Sequence, residues 1–112
     1  MKLKLTTQTN EGLKQIFQRI LVTASIIVQR GNLPTNEEIN EPDRFGRYPY
    51  KDEHKDNTYQ LCGSNSDWLN VREETDNYII FEFNFRYDGK NNKKNTMSNV
   101  ILTWFENVEI LE

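Results

Sequence analysis

The chain has 112 residues, of which 36% are apolar and 28% charged, with a single cysteine. That is enough for one core built from a helix layer on a sheet layer and too little for a second. Cys62 alone excludes an intramolecular disulfide, no Asn-x-Ser/Thr sequon occurs, and the start Met1-Lys2-Leu3-Lys4-Leu5 lacks the apolar run of a secretory leader, so a cytosolic protein is expected. The formal charge of −3 excludes little until it is divided along the chain.

Lys2-Leu3-Lys4-Leu5-Thr6 alternates polar and apolar residues and predicts a short strand with Leu3 and Leu5 inward. From Leu13, apolar residues recur at Ile16, Phe17, Ile20, Leu21, Ala24, Ile27 and Val28, the three-and-four spacing of one helical face. Thr9 or Asn10 can cap the free amides at its start, and Arg30-Gly31 supplies a cation and a left-handed stop. Val22 and Ile26 widen the stripe, which predicts a helix covered over much of its circumference by a sheet curling around it. At about 1.5 Å per residue this helix approaches the length of a bilayer span. Lys14, Arg19 and three glutamines interrupt it, so a core helix and not a membrane span is expected.

Leu33 to Asn57 changes character. Pro34, Pro42, Pro49 and Gly46 stand among charges with no apolar period, which reads as a long irregular connection over 34–57. Connections of that length inside a small domain are commonly functional. Tyr59 to Cys62 and Trp68 to Arg72 read as strands, followed by the polar turn Glu74-Thr75-Asp76-Asn77. Tyr78 to Tyr87 alternates cleanly, with Ile79, Phe81, Phe83, Phe85 and Tyr87 on one face, and is the expected central strand. Asp88 to Asn95 reads as a hairpin loop, and Ser98 to Phe105 as a returning strand that resumes after Glu106-Asn107 at Val108 and Ile110. The expected fold is α+β: one long amphipathic helix packed on a curved antiparallel sheet of four to five strands, in a single domain over 1–112.

Divided by segment, the charge is informative. Residues 1–33 carry a net +4, residues 34–77 a net −6 and residues 78–112 a net −1. The acidic excess surrounds Asp43-Arg44-Phe45-Gly46-Arg47-Tyr48-Pro49-Tyr50, framed by Glu37, Glu38, Glu41, Asp52, Glu53 and Asp56. Tyrosine and arginine dominate interface hot spots, and carboxylates steer a basic partner. The same aromatics also suit a loop pinned to a sheet, a purely structural role.

Catalytic signatures are sparse. His54 is the only histidine, which excludes a mechanism needing two imidazoles, and Cys62 has no nameable orienting partner. Asp52, Glu53, His54 and Asp56 are adjacent, yet no second cluster accompanies them at metal-ligand spacing. Gly63 and Gly89 stand alone, so no phosphate loop is present and no cofactor is expected. Lys90, Lys93 and Lys94 with Lys2, Lys4, Lys14 and Arg19 compose a modest basic set, which the −6 block opposes for nucleic-acid binding.

The expected function is therefore a non-enzymatic protein-binding module. Its concrete form is an inhibitor or immunity-type protein that neutralises a basic partner, such as a nuclease toxin, with no membrane role. Asp43, Arg44, Arg47, Tyr48, Tyr50, Asp52, Glu53 and Asp56 are the expected partner-binding residues. One alternative is an enzyme whose site lies between helix and sheet and uses tyrosine, Cys62, His54 or Glu82. Another is an accessory subunit of a larger, for instance phage-derived, assembly, adding the first strand or Ser98–Phe105 to a neighbour's sheet.

Overall fold

The computed structural model describes residues 2–7, 10–30, 34–40, 53–55, 57–61, 66–86 and 93–111. Among the described residues nine elements follow in chain order: β1 (Lys2–Thr6), α1 (Asn10–Arg30), α2 (Asn36–Asn40), β2 (Glu53–Lys55), β3 (Thr58–Gln60), β4 (Asp67–Glu74), β5 (Tyr78–Phe85), α3 (Lys93–Trp104) and β6 (Val108–Leu111). The strands form one open sheet in the order β2-β3-β4-β5-β1-β6, every pairing antiparallel. The α+β class and the long N-terminal helix on an antiparallel sheet are as the sequence predicts. The sixth strand of the sheet is the short, bulged β2 at its edge.

The alternation of β5 decides which face is inner. Ile79, Phe81, Phe83 and Phe85 are buried, and register places Leu5 opposite Ile79, Leu3 and Val71 opposite Phe81, and Leu69 opposite Phe83. Onto this face α1 lays Leu13, Phe17, Ile20, Leu21 and Ala24, and α3 adds Met97 and Ile101, in one continuous core cluster. Phe17 meets Phe81 edge-to-face at 5.9 Å between ring centroids and Tyr59 at 5.7 Å, the arrangement that matches positive ring edge to negative ring face.

Three expectations are corrected. Ser98 to Phe105 is not a strand: β5 already has β4 on one side and β1 on the other, so no ladder position beside it remains for a returning strand. The chain instead crosses beneath the sheet as α3 and re-enters beyond β1 as β6, which runs in the same direction as β5. Asp88 to Asn95 is accordingly not a hairpin loop; Lys93 already opens the helix, and residues 87–92 lie outside the described residues.

Val22 and Ile26 fall on the side of α1 opposite the residues that join the main cluster, and both are buried, so the helix is covered over much of its circumference as expected; α2 packs against this helix.

The connection over 34–57 is also not wholly irregular, since it contains α2 and β2. Thr35 and Glu38 form a capping box. The Glu38 side chain accepts from the Thr35 amide at 2.9 Å, and the Thr35 hydroxyl accepts from the Glu38 amide at 3.1 Å. Among the described residues no helix is long and apolar enough to cross a membrane.

Candidate protein-binding surface

Of the partner-binding residues expected from the sequence, Asp43, Arg44, Arg47, Tyr48, Tyr50, Asp52 and Asp56 lie outside the described residues. Glu53 opens β2, opposite Tyr59 of β3. Of the acids framing that segment, Glu37 is exposed on α2, while Glu38 is 6% exposed and serves as the helix cap described above. Glu38 is thus part of the fold's framework and leaves the acidic frame. The sequence signal for this was Thr35-x-x-Glu38, the spacing of a reciprocal cap.

Another acidic group is well placed. β4 bulges between Val71 and Glu73 and ends in a turn that exposes Glu73, Glu74 and Asp76. That turn is stiff. The Thr75 amide donates to the Tyr78 carbonyl at 2.9 Å, and the Thr75 hydroxyl accepts from the Asn77 and Tyr78 amides at 3.2 Å each. The Thr7 amide, just past β1, donates to the Asn77 carbonyl at 3.3 Å, tying the turn to the sheet's interior. A threonine hydroxyl capping two amides fixes the backbone that carries the carboxylates, so less of the turn has to be ordered at the moment of binding.

The turn between β2 and β3 lies at the same end. Asn57 has φ +63°, a left-handed conformation that asparagine tolerates, and its carbonyl accepts from the Val71 amide at 2.7 Å. The Asn70 side-chain amide donates to the Thr58 hydroxyl at 3.0 Å, fixing β3 against β4. Between these turns and the first part of α1 is an open cleft of about 540 Å³, lined by Lys14, Asn57, Arg72, Glu73, Glu74 and Asp76. Arg72 is engaged by Glu82 at 2.5 Å. The Tyr78 hydroxyl donates to the Glu73 carboxylate, and this bond holds the Tyr78 phenol above its ordinary pKa of 10.0, with partial desolvation and the negative charge of Glu73 adding to the effect.

The space between helix and sheet is occupied by core side chains, and Glu82 lies on the opposite face, since its neighbours Phe81 and Phe83 are the inward residues. That opposite face carries half-buried Trp68, Tyr78 and Ile80, with Lys4 Nζ 4.6 Å above the centre of the Tyr78 ring. Cys62 lies outside the described residues, as do the side chains of Glu53 and His54. Among the described residues no group of three or more histidine, cysteine, aspartate or glutamate side chains is arranged to hold a metal ion.

The polar turn expected at Glu74 to Asn77 and its acids fall within the −6 segment, at the end opposite to the aromatic stretch. Three acids within four residues at a strand end was the available signal. Comparison with known proteins finds no matching family model, no matching curated protein and no matching solved structure.

Proposed function

We propose that this chain is a non-enzymatic protein-binding module of the inhibitor or immunity type, which neutralises a basic partner such as a nuclease toxin by covering its active surface. The observation that carries the reading is the stiff, exposed carboxylate group Glu73, Glu74 and Asp76 at the end of the sheet where Asn57 closes the acidic connection. A basic nuclease surface is built to attract phosphates, and fixed carboxylates compete for the same cations while accelerating encounter. Arg44, Arg47, Tyr48 and Tyr50, in the sequence segment that precedes β2, supply the aromatic and guanidinium anchors of the proposal.

The test is inhibition. The tagged chain captures its partner from the source cells, and the captured protein is purified and assayed for nuclease activity. One molar equivalent of the chain is expected to abolish that activity, and Glu73→Lys/Glu74→Lys/Asp76→Lys to need at least about tenfold more, or about 1.4 kcal/mol. A captured protein of acidic charge, or equal inhibition by the triple variant, would overturn the reading.

A further inference from the structure

Among the described residues β6 is an outer strand, paired on one side only, with β1. Its ladder fixes which backbone groups are free. The Thr6 amide donates to the Asn107 carbonyl at 3.0 Å, which marks that pair as hydrogen-bonded. Such pairs alternate along an antiparallel ladder, so Lys4 with Glu109 and Lys2 with Leu111 share bonds, while Leu3 with Ile110 do not. The N–H and C=O of Ile110 therefore point away from β1, toward the free edge. Its side chain is 43% exposed and is the exposed large hydrophobic of the described residues. One residue thus offers a donor, an acceptor and an apolar contact at one place.

The surroundings specify the chemistry of what fits. Beside the edge runs an open groove of about 690 Å³, with Gly12, Ile16 and Val108 along it and Glu106 and Glu109 among its polar lining. Residues 105–112 contain three acids and no base. Natural edge strands are commonly short and guarded by a charged side chain, proline or a bulge; this four-residue strand carries Glu109, cross-strand from Lys4, with Glu106 just before it. A second copy of the chain pairing here would bring Glu109 of both copies onto one four-residue seam. A basic strand meets complementary charge along the same line.

We infer that the β6 edge is a docking strand, which takes an extended basic segment of the partner by strand addition. An apolar residue of that segment meets Ile110, and a cation at the next position meets Glu109 on the other face. This rests on the protein-binding reading and adds to it the kind of segment bound.

The probe is the peptide acetyl-KVKVKVK-amide, with acetyl-EVEVEVE-amide as its acidic counterpart, titrated into isotopically labelled protein and followed by backbone NMR. The basic peptide is expected to shift the amides of residues 108–111 and slow exchange at Ile110, and the acidic peptide to do neither. Ile110→Pro removes the outward N–H without removing a bond to β1. Ile110→Lys keeps that N–H and places a like charge before the peptide. Both variants are expected to bind at least tenfold more weakly, with amide shifts elsewhere unchanged as the check on folding.

Absence of shifts at 108–111, or equal shifts with the two peptides, would overturn the inference. Shifts confined to Glu73–Asp76 would overturn it too, while leaving the protein-binding reading standing. A dimer without peptide that Ile110→Lys dissolves would assign the edge to a second copy and likewise overturn it. The protein-binding reading falls independently, if the triple charge reversal leaves inhibition of the captured partner unchanged.

Discussion

Leu3 and Ile110 stand opposite each other in the β1–β6 ladder, yet Leu3 is completely buried and Ile110 is 43% exposed. Position in the sheet separates them: β1 has a strand on either side, and β6 ends the sheet. Leu3→Ala empties a packed site and is expected to cost about 2–5 kcal/mol. Ile110→Ala removes a contact already half in water and is expected to cost less than about 1 kcal/mol. Urea denaturation with an unchanged slope checks both, and equal losses would contradict the assignment of β6 as an open edge.

The reciprocal cap at Thr35 and Glu38 makes a local prediction. Thr35→Ala leaves the Glu38 amide without its hydroxyl acceptor and is expected to lower stability by about 0.5–2 kcal/mol. The loss should be accompanied by faster amide exchange within α2, measured by hydrogen exchange and mass spectrometry, with β4 and β5 protected as before.

Tyr78 gives a pH dependence. Its folded-state pKa is raised, chiefly by the hydrogen bond to Glu73, so the folded chain holds this proton more tightly than the unfolded chain does. The associated stabilisation is fully present below the ordinary tyrosine value of 10.0 and is lost as pH rises through the folded-state value. Phenolate absorbance, taken as the difference between the protein and Tyr78→Phe, should show this ring ionising at higher pH than a free tyrosine. Glu73→Gln should move it back down.

The helical state of α3 separates two neighbouring positions. In a strand, Ile101 and Thr103 would share a face; in the helix Ile101 is buried, while Thr103 is exposed, with its hydroxyl donating to the Asn99 carbonyl at 2.8 Å. Thr103→Lys is therefore expected to change stability by no more than about 0.5 kcal/mol. Ile101→Ala is expected to cost about 2–5 kcal/mol, both read from thermal unfolding.

The same segment shows why part of the fold was legible and part was not. α1 and β5 carry complete periods, one of three and four residues and one of two; β5 is buried as its period dictates, and α1 along its stripe and, from Ile20 to Ile26, all round. Ser98 to Phe105 carries a run of branched and aromatic residues whose strand propensity is overridden by tertiary context. Its helical signal begins one residue earlier, with Met97, Ile101 and Phe105 at spacings of four, and these are its buried apolar residues. What excludes a strand there is the insertion of β1 beside β5, a pairing between residues far apart in sequence that no local window contains.

The candidate site divides in the same way. Acidic excess in 34–77 was visible by counting, but its distribution was not. Glu38 turned inward as a cap, and the exposed group formed at Glu73, Glu74 and Asp76. Which acids reach the surface together depends on the bulge at Val71–Glu73 and the Thr75 hydrogen bonds, neither of which charge counting detects.

Calorimetric titration of the captured partner at low and moderate salt, with the native chain and with Glu73→Lys/Glu74→Lys/Asp76→Lys, tests the central claim most directly. The account predicts one-to-one binding that weakens as salt rises, and a triple variant at least about tenfold weaker at low salt, with the gap narrowing as the charges are screened. Affinity indifferent to both salt and charge reversal would contradict it.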